Sequence, residues 1–461
     1  MKKTFPAWWT LAAVAALGSL AMRNGPVSDV DLFWHVRVGE YLRHHWSFPY
    51  PDPWAFTVPD HHWHSTAWLS EIVLSLTHDA GGWTAIVALR LVLTLAFVVA
   101  LFRLLLAGTT DRMAPLVYVV TVLPAASYFQ ERPQTASLVF LVWLAAVVRA
   151  FLEHDRAPNR WRTVAITYVW ACVHGLFILV PVVLVLLGLC RWRSAAKLGR
   201  DTAVTGVLAG IAAGLTPMGP RLLLAPLTVG SAARGFIVEW APTNIEVFGA
   251  LGFFVFLAGL LVSYARSTER TPRTELTLVL FLGLFGLLAI RNAGPVSILL
   301  APIALRQLRL VVPSRSALTL PVAPVAALLS VALLAVGASF FTHPALPEKP
   351  TRIADYLATV PGDPRVLNDY NISGYLIYRD AGHVLLMIDG RADRYGQDFI
   401  GRYQRAVQGD PSWEAYVDDF RPRLAVLEEH TPLIQLLESV KGWTKVMTDR
   451  HFVLLQAPGN P

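Results

Sequence analysis

The sequence predicts a polytopic α-helical membrane protein with a small α/β domain at its C-terminal end. The chain has 461 residues, of which 54% are hydrophobic and 15% are charged, whereas ordinary soluble domains carry about 25% charged residues. Apolar runs close to the ~20 residues needed to cross a bilayer recur along the chain. After Pro344 the charged residues, the turns and the alternating apolar patterns all increase, which indicates a change of domain.

The apolar runs predict about eleven transmembrane helices. They cover residues 5–22, 84–106, 113–129, 134–151, 163–174, 176–190, 202–216, 245–265, 275–290, 294–310 and 317–341. Lys2 and Lys3 precede the first run as in a signal peptide, but no small-residue cleavage site follows it. We therefore interpret this run as an uncleaved first helix.

Positive charges cluster in alternate loops between these runs. The cations of the loops assigned to the inside are Arg103, Arg112, Arg156, Arg160, Arg162, Arg191, Arg193, Lys197, Arg200, Arg266, Arg270, Arg273, Arg306, Arg309 and Arg315. Because Lys and Arg favour cytoplasmic loops, this bias predicts a multi-pass protein of the cytoplasmic membrane, with its N-terminus inside and its C-terminal domain outside. The net charge of +7 is thereby explained by topology, and no basic patch indicates a nucleic-acid partner.

The predicted domains are a transmembrane domain at 1–343 and an extracytoplasmic α/β domain at 344–461. The transmembrane domain includes a long first outer loop at 23–83. In the C-terminal domain, the patterns predict helices at 351–360 and 396–408 and strands at 365–367, 384–388, 424–427 and 452–455. Cys172 and Cys190 both lie in apolar segments, so neither a disulfide framework nor a cysteine metal site is indicated.

Two pairs of predicted spans are short and interrupted by polar residues. The first is broken at His174-Gly175 and the second at the sequence RNAGP, 291–295. Such breaks are tolerated where the polar backbone faces a cavity rather than lipid. His174 and Arg291 would then point into an outward-facing cavity. Alternatively, both side chains reach the membrane surface from the helix ends.

The first outer loop concentrates side chains that can do chemistry. Asp29 and Asp31 are two residues apart, so in an extended segment they share a face. A carboxylate there could act as a general base on an acceptor hydroxyl, or the pair could hold a divalent cation through oxygen ligands. The alternative is a solvated polar exit from the first helix.

The next part of the loop, FWHVRVGEYLRHH, predicts an interfacial helix with aromatic side chains at headgroup depth. Arg37 in this helix could bind a phosphate or pair with Glu40. His61, His62 and His64 follow among prolines, but no third-ligand spacing supports a metal site. We interpret this stretch as a polar loop. Residues 66–80 then predict an amphipathic helix that ends at Gly81-Gly82.

One further outer loop carries a candidate anion-binding residue. Arg132 stands between two predicted spans on the same side as the Asp pair. Together with Arg291, and with Arg221 as a further candidate, it could surround an anionic head group at the membrane surface.

Several motifs resemble those of the GT-C superfamily of integral-membrane glycosyltransferases, and more narrowly a little-studied bacterial branch of it. The resemblance covers nearly the whole chain, and its motifs keep their order. They are DVDLFWHVRVGEYL, PYPDPWAF and WLSE in the first outer loop, then ERPQ (131–134), VHGLFIL (173–179), EWAP (239–242), RNAGP (291–295), NDYNISGYLIY (368–378) and IDGRADRYG (388–396).

The resemblance implies a GT-C-like fold and a glycosyltransferase. Such an enzyme moves a sugar from a polyprenyl-phosphate donor to an acceptor on the outer face of the cytoplasmic membrane. The acceptor would be an envelope glycan, lipid or protein, and membrane lipids are further partners. The catalytic acid or metal ligand of the first loop falls on Asp31, with Asp29 beside it. No cofactor is implied beyond a divalent cation at this pair.

The resemblance also implies a set of substrate-binding residues. They include phosphate-binding arginines, for which Arg132 and Arg291 are the candidates. The further predicted substrate-binding residues, which do not rest on the resemblance, are Arg37, His64, Glu71, His174 and Glu239. The chain departs from the branch in one place, because Thr66-Ala67 stands where the branch often has His-Glu before Trp-Leu. Two other functions therefore stay open: a transporter or flippase for lipid-linked sugars, which needs no base, and a non-catalytic membrane scaffold.

Overall fold

The structure is a computed structural model that describes residues 4–6, 27, 29–58, 62–63, 65–105, 113–225, 228–230, 235–246, 248–312, 319–321, 348–379 and 383–459. The described residues divide into two compact units. Unit 1 is drawn from Met1–Val27, Ala80–Leu223 and Val238–Ala345. Unit 2 is drawn from Ser28–Asp79, Leu224–Ile237 and Leu346–Pro461.

The secondary structure is dominated by helices. The described helices are α1 Leu32–His45, α2 Trp68–Leu105, α3 Met113–Ala125, α4 Gln134–His154, α5 Arg160–Val173, α6 Leu179–Arg191, α7 Ala196–Gly214, α8 Phe248–Arg266, α9 Arg273–Leu288, α10 Ala293–Val311, α11 Thr351–Leu357, α12 Ser373–Arg379, α13 Ala392–Val407, α14 Trp413–Phe420 and α15 Pro432–Lys441. The described strands are β1 Thr4–Pro6, β2 Tyr50–Pro51, β3 His62–Trp63, β4 Thr319–Pro321, β5 Arg365–Asn368, β6 Leu385–Leu386, β7 Leu424–Glu428, β8 Thr444–Asp449 and β9 Phe452–Gln456.

The apolar helices identify a membrane protein. Within the described part of the chain, three helical segments are long and apolar enough to cross a bilayer: Trp68–Leu105, Gln134–His154 and Ile290–Val311. Shorter apolar helical segments cover Met113–Tyr128, Gly175–Arg191 and Ala250–Arg266. Apart from their ends in β1 and β4, the predicted spans 5–22 and 317–341 lie outside the described residues. The count of about eleven spans and the sidedness therefore stay predictions.

A glycine pair divides α2 into two helical segments. Gly81 and Gly82 have non-helical backbone angles, and Gly82 has φ 60° and ψ −151°. This conformation is essentially restricted to glycine, because a Cβ atom would clash with the backbone. The predicted turn at Gly81-Gly82 is confirmed. It separates the polar-faced segment that begins at Trp68 from the apolar segment that runs to Leu105.

The two predicted helix breaks in unit 1 are present. A turn of 3-10 helix at Gly175–Ile178 separates α5 from α6. A second turn at Ile290–Asn292 separates α9 from α10. Each break places polar residues between apolar helices, and the second one carries Arg291.

Unit 2 is built on a mixed five-stranded sheet with the strand order β6-β5-β7-β9-β8. β5 pairs in parallel with β6 and β7, and β9 pairs antiparallel with β7 and β8. The first four residues of β7, Leu424 to Leu427, are all buried. An uninterrupted apolar run of this kind is typical of a strand that is covered on both faces.

The first outer loop joins this sheet. Ala55 forms a parallel bridge with Leu386, and the Leu386 N–H donates to the Trp54 carbonyl over 2.7 Å. The Thr57 hydroxyl donates to the Met387 carbonyl over 2.9 Å. The loop is therefore part of the compact unit that contains the C-terminal segment. The predicted division instead placed the loop with 1–343, because sequence patterns do not show pairings between distant segments.

Candidate functional site

Three predicted site residues of unit 1 meet in one cluster. Nη1 of Arg132 lies 3.5 Å from Oε1 of Glu239. Nη1 of Arg291 lies 3.4 Å from the same oxygen. All three side chains are partly exposed, at 20%, 16% and 32% for Arg132, Arg291 and Glu239. Two guanidinium groups therefore converge on one acidic oxygen at a surface that solvent or a ligand can reach. We call these three residues the arginine cluster.

Breaks between helices supply each residue of the arginine cluster. Arg132 follows the end of α3 and precedes α4, and Glu239 lies in a single 3-10 turn at Val238–Trp240. Arg291 lies in the turn between α9 and α10.

Neighbouring groups orient Arg291. Its guanidinium carbon lies 4.3 Å from the ring centroid of Trp240, a distance suited to a cation–π interaction. Its Nη2 approaches the side-chain oxygen of Gln134 at 3.5 Å. The Tyr128 hydroxyl donates to its carbonyl over 2.5 Å. Arg291 is therefore fixed at both its backbone and its side chain.

A buried ion pair anchors the loop that carries Arg132. Glu131 accepts a hydrogen bond from Arg90 of α2, and the two side chains are 0% and 4% exposed. The sequence interpretation missed this pair. The sequence did contain an indication of it. Arg90 lies within the predicted span 84–106, and a charged residue within a span usually has a buried polar partner.

His174 makes contacts of a structural kind. Its Nδ1 lies 3.0 Å from the Ser137 hydroxyl and 3.4 Å from the Leu176 backbone nitrogen. Trp170 donates its indole N–H to Ser137 over 2.9 Å. His174 thereby caps the 3-10 turn that follows α5. These contacts do not involve the arginine cluster. The substrate-binding role of His174 stays a prediction.

Asp29 and Asp31 lie together at the start of α1, in unit 2. Asp29 is 6% exposed, and its Oδ1 accepts the Asp31 backbone N–H over 2.8 Å. Asp31 has helical backbone angles (φ −80°, ψ −20°), so the expected extended pair is wrong at this residue. Trp34 donates its indole N–H to Oδ1 of Asp31 over 3.1 Å. The pair is thus built into the protein rather than standing as a solvated helix exit.

The aromatic residues of α1 are protein core. Phe33 and Trp34 are 0% and 5% exposed. Phe33 packs edge-on to Tyr375 at 5.4 Å, and Trp34 packs on Trp63 at 5.5 Å between ring centroids. The expectation that these rings lie at headgroup depth is wrong, because the helix packs against the C-terminal segment.

Two of the remaining candidates in the first loop bond to other residues of the same loop, and the third lies outside the described residues. Arg37 pairs with Glu40 over 2.6 Å, which is one of its two predicted alternatives. Glu71 is 0% exposed, and Ser65 donates to it over 3.0 Å while His35 lies 3.2 Å away. These contacts make Glu71 part of the loop core. His64 lies outside the described residues.

The turn IDGRAD contacts the first loop through ion pairs and a hydrogen bond. Arg391 is fully buried and bonds to Asp389 at 2.5 Å and to Asp52 of the first loop at 3.0 Å. Nε of Arg394 forms an ion pair with Asp52 at 2.9 Å. Burial alone would raise the pKa of Asp389, but the Arg391 guanidinium and the Tyr395 hydroxyl hold it below its usual value. Burial raises the pKa of Asp393, which accepts the Trp63 indole N–H over 3.1 Å.

The described residues do not form a metal site. No group of three or more His, Cys, Asp or Glu side chains among them is arranged to hold a metal ion. At the predicted pair, one oxygen of Asp29 and one of Asp31 each accept a hydrogen bond. Two carboxylates engaged in this way do not make a complete ligand set, so we assign no step to a metal.

Comparison with known proteins identifies the fold. Neither a family model nor a curated protein matches the sequence. Among solved structures, the chain is similar to the crystal structure of the Archaeoglobus fulgidus oligosaccharyltransferase in the apo form, with a TM-score of 0.54 and 13% sequence identity. The similarity covers 93% of this chain and 70% of that chain. The chain shares the fold of this oligosaccharyltransferase structure.

Two further structures resemble the chain more weakly. One is the Archaeoglobus fulgidus oligosaccharyltransferase in complex with Zn and sulfate, with a TM-score of 0.49, 12% identity and coverage of 93% of this chain and 68% of that chain. The other is ArnT from Cupriavidus metallidurans in the apo state, with a TM-score of 0.41, 13% identity and coverage of 97% and 96%. TM-scores below 0.5 carry no inference, so the fold assignment rests on the first similarity alone.

Proposed function

We propose that the protein is a membrane glycosyltransferase that uses a polyprenyl-phosphate sugar as donor. In this proposal it transfers the sugar to an acceptor on the outer face of the cytoplasmic membrane. The acceptor is an envelope glycan, lipid or protein. The fold shared with an oligosaccharyltransferase and the motifs that resemble the GT-C superfamily support a catalyst of this general kind.

The arginine cluster carries the proposal. Guanidinium groups bind carboxylates and phosphates in the same way, with planar N–H donors that suit bidentate contacts. Glu239 already occupies the space between Arg132 and Arg291, so an anionic group fits there. Its contacts of 3.4 and 3.5 Å exceed the 2.7–2.9 Å of strong charge-assisted hydrogen bonds. A lipid phosphate can therefore compete with Glu239 for both arginines.

Asp31 is the proposed base. The acceptor oxygen attacks C1 of the sugar, and the bond between C1 and the phosphate oxygen breaks. The phosphate leaves with the bonding electrons, and the proton of the acceptor hydroxyl passes to the Asp31 carboxylate. Arg132 and Arg291 stabilise the negative charge that develops on the leaving phosphate. Asp29 holds the backbone of Asp31 and so fixes the start of α1.

The test is bond cleavage in a purified system. The full chain is placed in proteoliposomes with long-chain polyprenyl-phosphate hexoses and an envelope extract as the acceptor pool. Release of free polyprenyl phosphate, together with labelled sugar in the acceptor fraction, is the expected result. Movement of the intact donor between leaflets without cleavage would identify a flippase. Absence of both activities with every hexose tried would identify a scaffold.

A further inference from the structure

Two glycines of the C-terminal segment touch the loop that carries Asp31. A Cβ atom built on Gly390 would overlap Oδ1 of Asp31 and lie 3.0 Å from Nε1 of Trp34. A Cβ atom built on Gly374 would lie 2.5 Å from the Val30 carbonyl oxygen and 3.2 Å from Cδ1 of Trp34. Both positions therefore bring backbone against the loop at a distance that excludes any side chain.

Buried bonds hold the turn that contains Gly390. Its neighbours Asp389 and Arg391 are bonded to each other and buried, and Tyr395 donates its hydroxyl to Asp389 over 2.7 Å. The Gly390 carbonyl accepts the Ala392 N–H over 3.1 Å. A turn fixed in this way cannot yield to an added methyl group, so the strain would fall on Asp31.

Trp34 connects the two contacts. Its indole N–H donates to Oδ1 of Asp31, and its ring edge lies against Gly374. His35 and Trp63 pack on the ring at 3.6 and 5.5 Å between centroids. The indole is thereby held from several sides while it fixes one oxygen of the carboxylate.

We infer that Gly390 and Trp34 are positioning residues for the Asp31 carboxylate, and that Gly374 positions the backbone before it. The motifs IDGRAD and NISGY of the C-terminal segment would thus contribute to the proposed reaction by positioning the Asp31 carboxylate. This inference rests on the proposed function, because it gives Asp31 the role of base. The C-terminal segment would then position the proposed base in addition to stabilising the fold of unit 2.

The expected effect follows from the geometry of proton transfer. A base must lie within hydrogen-bond reach of the proton that it removes, and a misplacement of about 1 Å can cost about 100-fold in rate. Gly390→Ala should therefore lower kcat about 10- to 100-fold. The KM for the lipid donor should change less than about threefold, because no donor-binding side chain is altered.

Gly401→Ala is the matched control. Gly401 lies in α13 of the same unit, and a Cβ atom there would meet its nearest neighbours at 3.6 Å, which is ordinary contact. Both variants are made in the full chain and assayed in proteoliposomes for release of polyprenyl phosphate from the polyprenyl-phosphate hexose that the wild type cleaves. Unfolding temperatures are measured in parallel. Gly401→Ala should match the wild type in kcat and KM.

Trp34→Phe provides a second, independent variant. It removes the N–H donor to Asp31 and keeps an aromatic ring, and it leaves the Gly390 turn intact. A loss of kcat at unchanged KM is expected here as well. If Gly390→Ala fails to fold, the kcat and KM of Trp34→Phe alone test whether positioning of the Asp31 carboxylate matters for turnover.

The outcomes separate this inference from the proposed function. If Asp31→Asn is inactive while Gly390→Ala and Trp34→Phe are folded and keep kcat within twofold of the wild type, the positioning role is overturned and the transferase stands. A rise in KM without a fall in kcat would also overturn it. If Asp31→Asn itself keeps full activity, the assignment of the base fails first.

Discussion

Arg291 lies 3.4 Å from Glu239, although the two residues are separated by 52 positions in the sequence. Each comes from a break between helices of unit 1, and Arg132 reaches the same carboxylate oxygen from a third break. The proposed anion-binding surface is therefore assembled from irregular backbone between helices.

Removal of either arginine should weaken binding of a lipid phosphate. Hydrogen bonds to charged groups contribute about 1.5–3 kcal/mol, so Arg132→Ala and Arg291→Ala should each raise the Kd for long-chain polyprenyl phosphate about 10-fold or more. Equilibrium binding to the protein in lipid nanodiscs measures this. Arg266→Ala, at an exposed end of α8, should leave the Kd unchanged. Equal affinities for all three variants would remove the arginine cluster from the binding site.

Neutralising Glu239 should have the opposite effect. The carboxylate competes with the phosphate for both guanidinium groups, so Glu239→Gln should lower the Kd for polyprenyl phosphate about two- to tenfold, in line with the modest strength of partly exposed ion pairs. The same nanodisc titration checks it. A weaker affinity in this variant would mean that Glu239 orients the arginines rather than competing with the ligand.

Breaking the buried pair of Arg90 and Glu131 should destabilise the protein strongly. Glu131→Gln leaves an arginine charge without its buried counter-ion, at a cost of about 3–5 kcal/mol. Thermal unfolding in detergent should show a drop of several degrees. Glu153→Gln is the control, because the pair of Arg149 and Glu153 is partly exposed and should contribute at most about 1 kcal/mol. Similar shifts in both variants would contradict the account.

Two aspartates of the IDGRAD turn should respond to pH in opposite ways. The pKa of Asp389 lies below its usual value because of Arg391 and Tyr395. Its stabilising contribution is therefore present above the unfolded pKa of about 3.9 and lost as the pH falls further. Asp389→Asn should lower the unfolding temperature clearly at pH 7, and its deficit should shrink as the pH falls below about 4.

Asp393→Asn serves as the counterpart, four residues along the same turn. Burial raises the pKa of Asp393, so its charged form costs stability as the pH rises above about 3.9. The variant should be at least as stable as the wild type at pH 7, and its advantage should vanish in acid. Unfolding curves of both variants at several pH values provide the measurement. A deficit for Asp393→Asn at pH 7 as large as that for Asp389→Asn would be the contrary result.

The sequence predicted those features of the fold that depend on local chemistry. The breaks at His174-Gly175 and at Arg291 follow from polar residues within apolar runs, and the turn at Gly81-Gly82 follows from glycine. The pair of Arg37 and Glu40 was one of two local alternatives. Arg132, Glu239 and Arg291 were each singled out, and the structure brings all three together.

Long-range packing explains what the sequence did not predict. The indole of Trp63 bonds to Asp393 across 330 positions, and Thr57 reaches Met387 across the same separation. Periodicity within α1 showed its apolar residues but not the partner that covers them, so Phe33 and Trp34 were expected at headgroup depth. The buried pair of Arg90 and Glu131 likewise joins two segments that are 41 positions apart in the sequence.

The most direct measurement compares turnover with lipid binding in Asp31→Asn, with Asp29→Asn beside it. Release of polyprenyl phosphate from a polyprenyl-phosphate hexose and the Kd for polyprenyl phosphate are determined on the same preparations. We predict that Asp31→Asn loses at least about 100-fold in turnover with an unchanged Kd. Asp29→Asn, which keeps a side-chain oxygen for the Asp31 N–H, should retain more activity. Turnover of Asp31→Asn at the wild-type rate would contradict the role of Asp31 as the base.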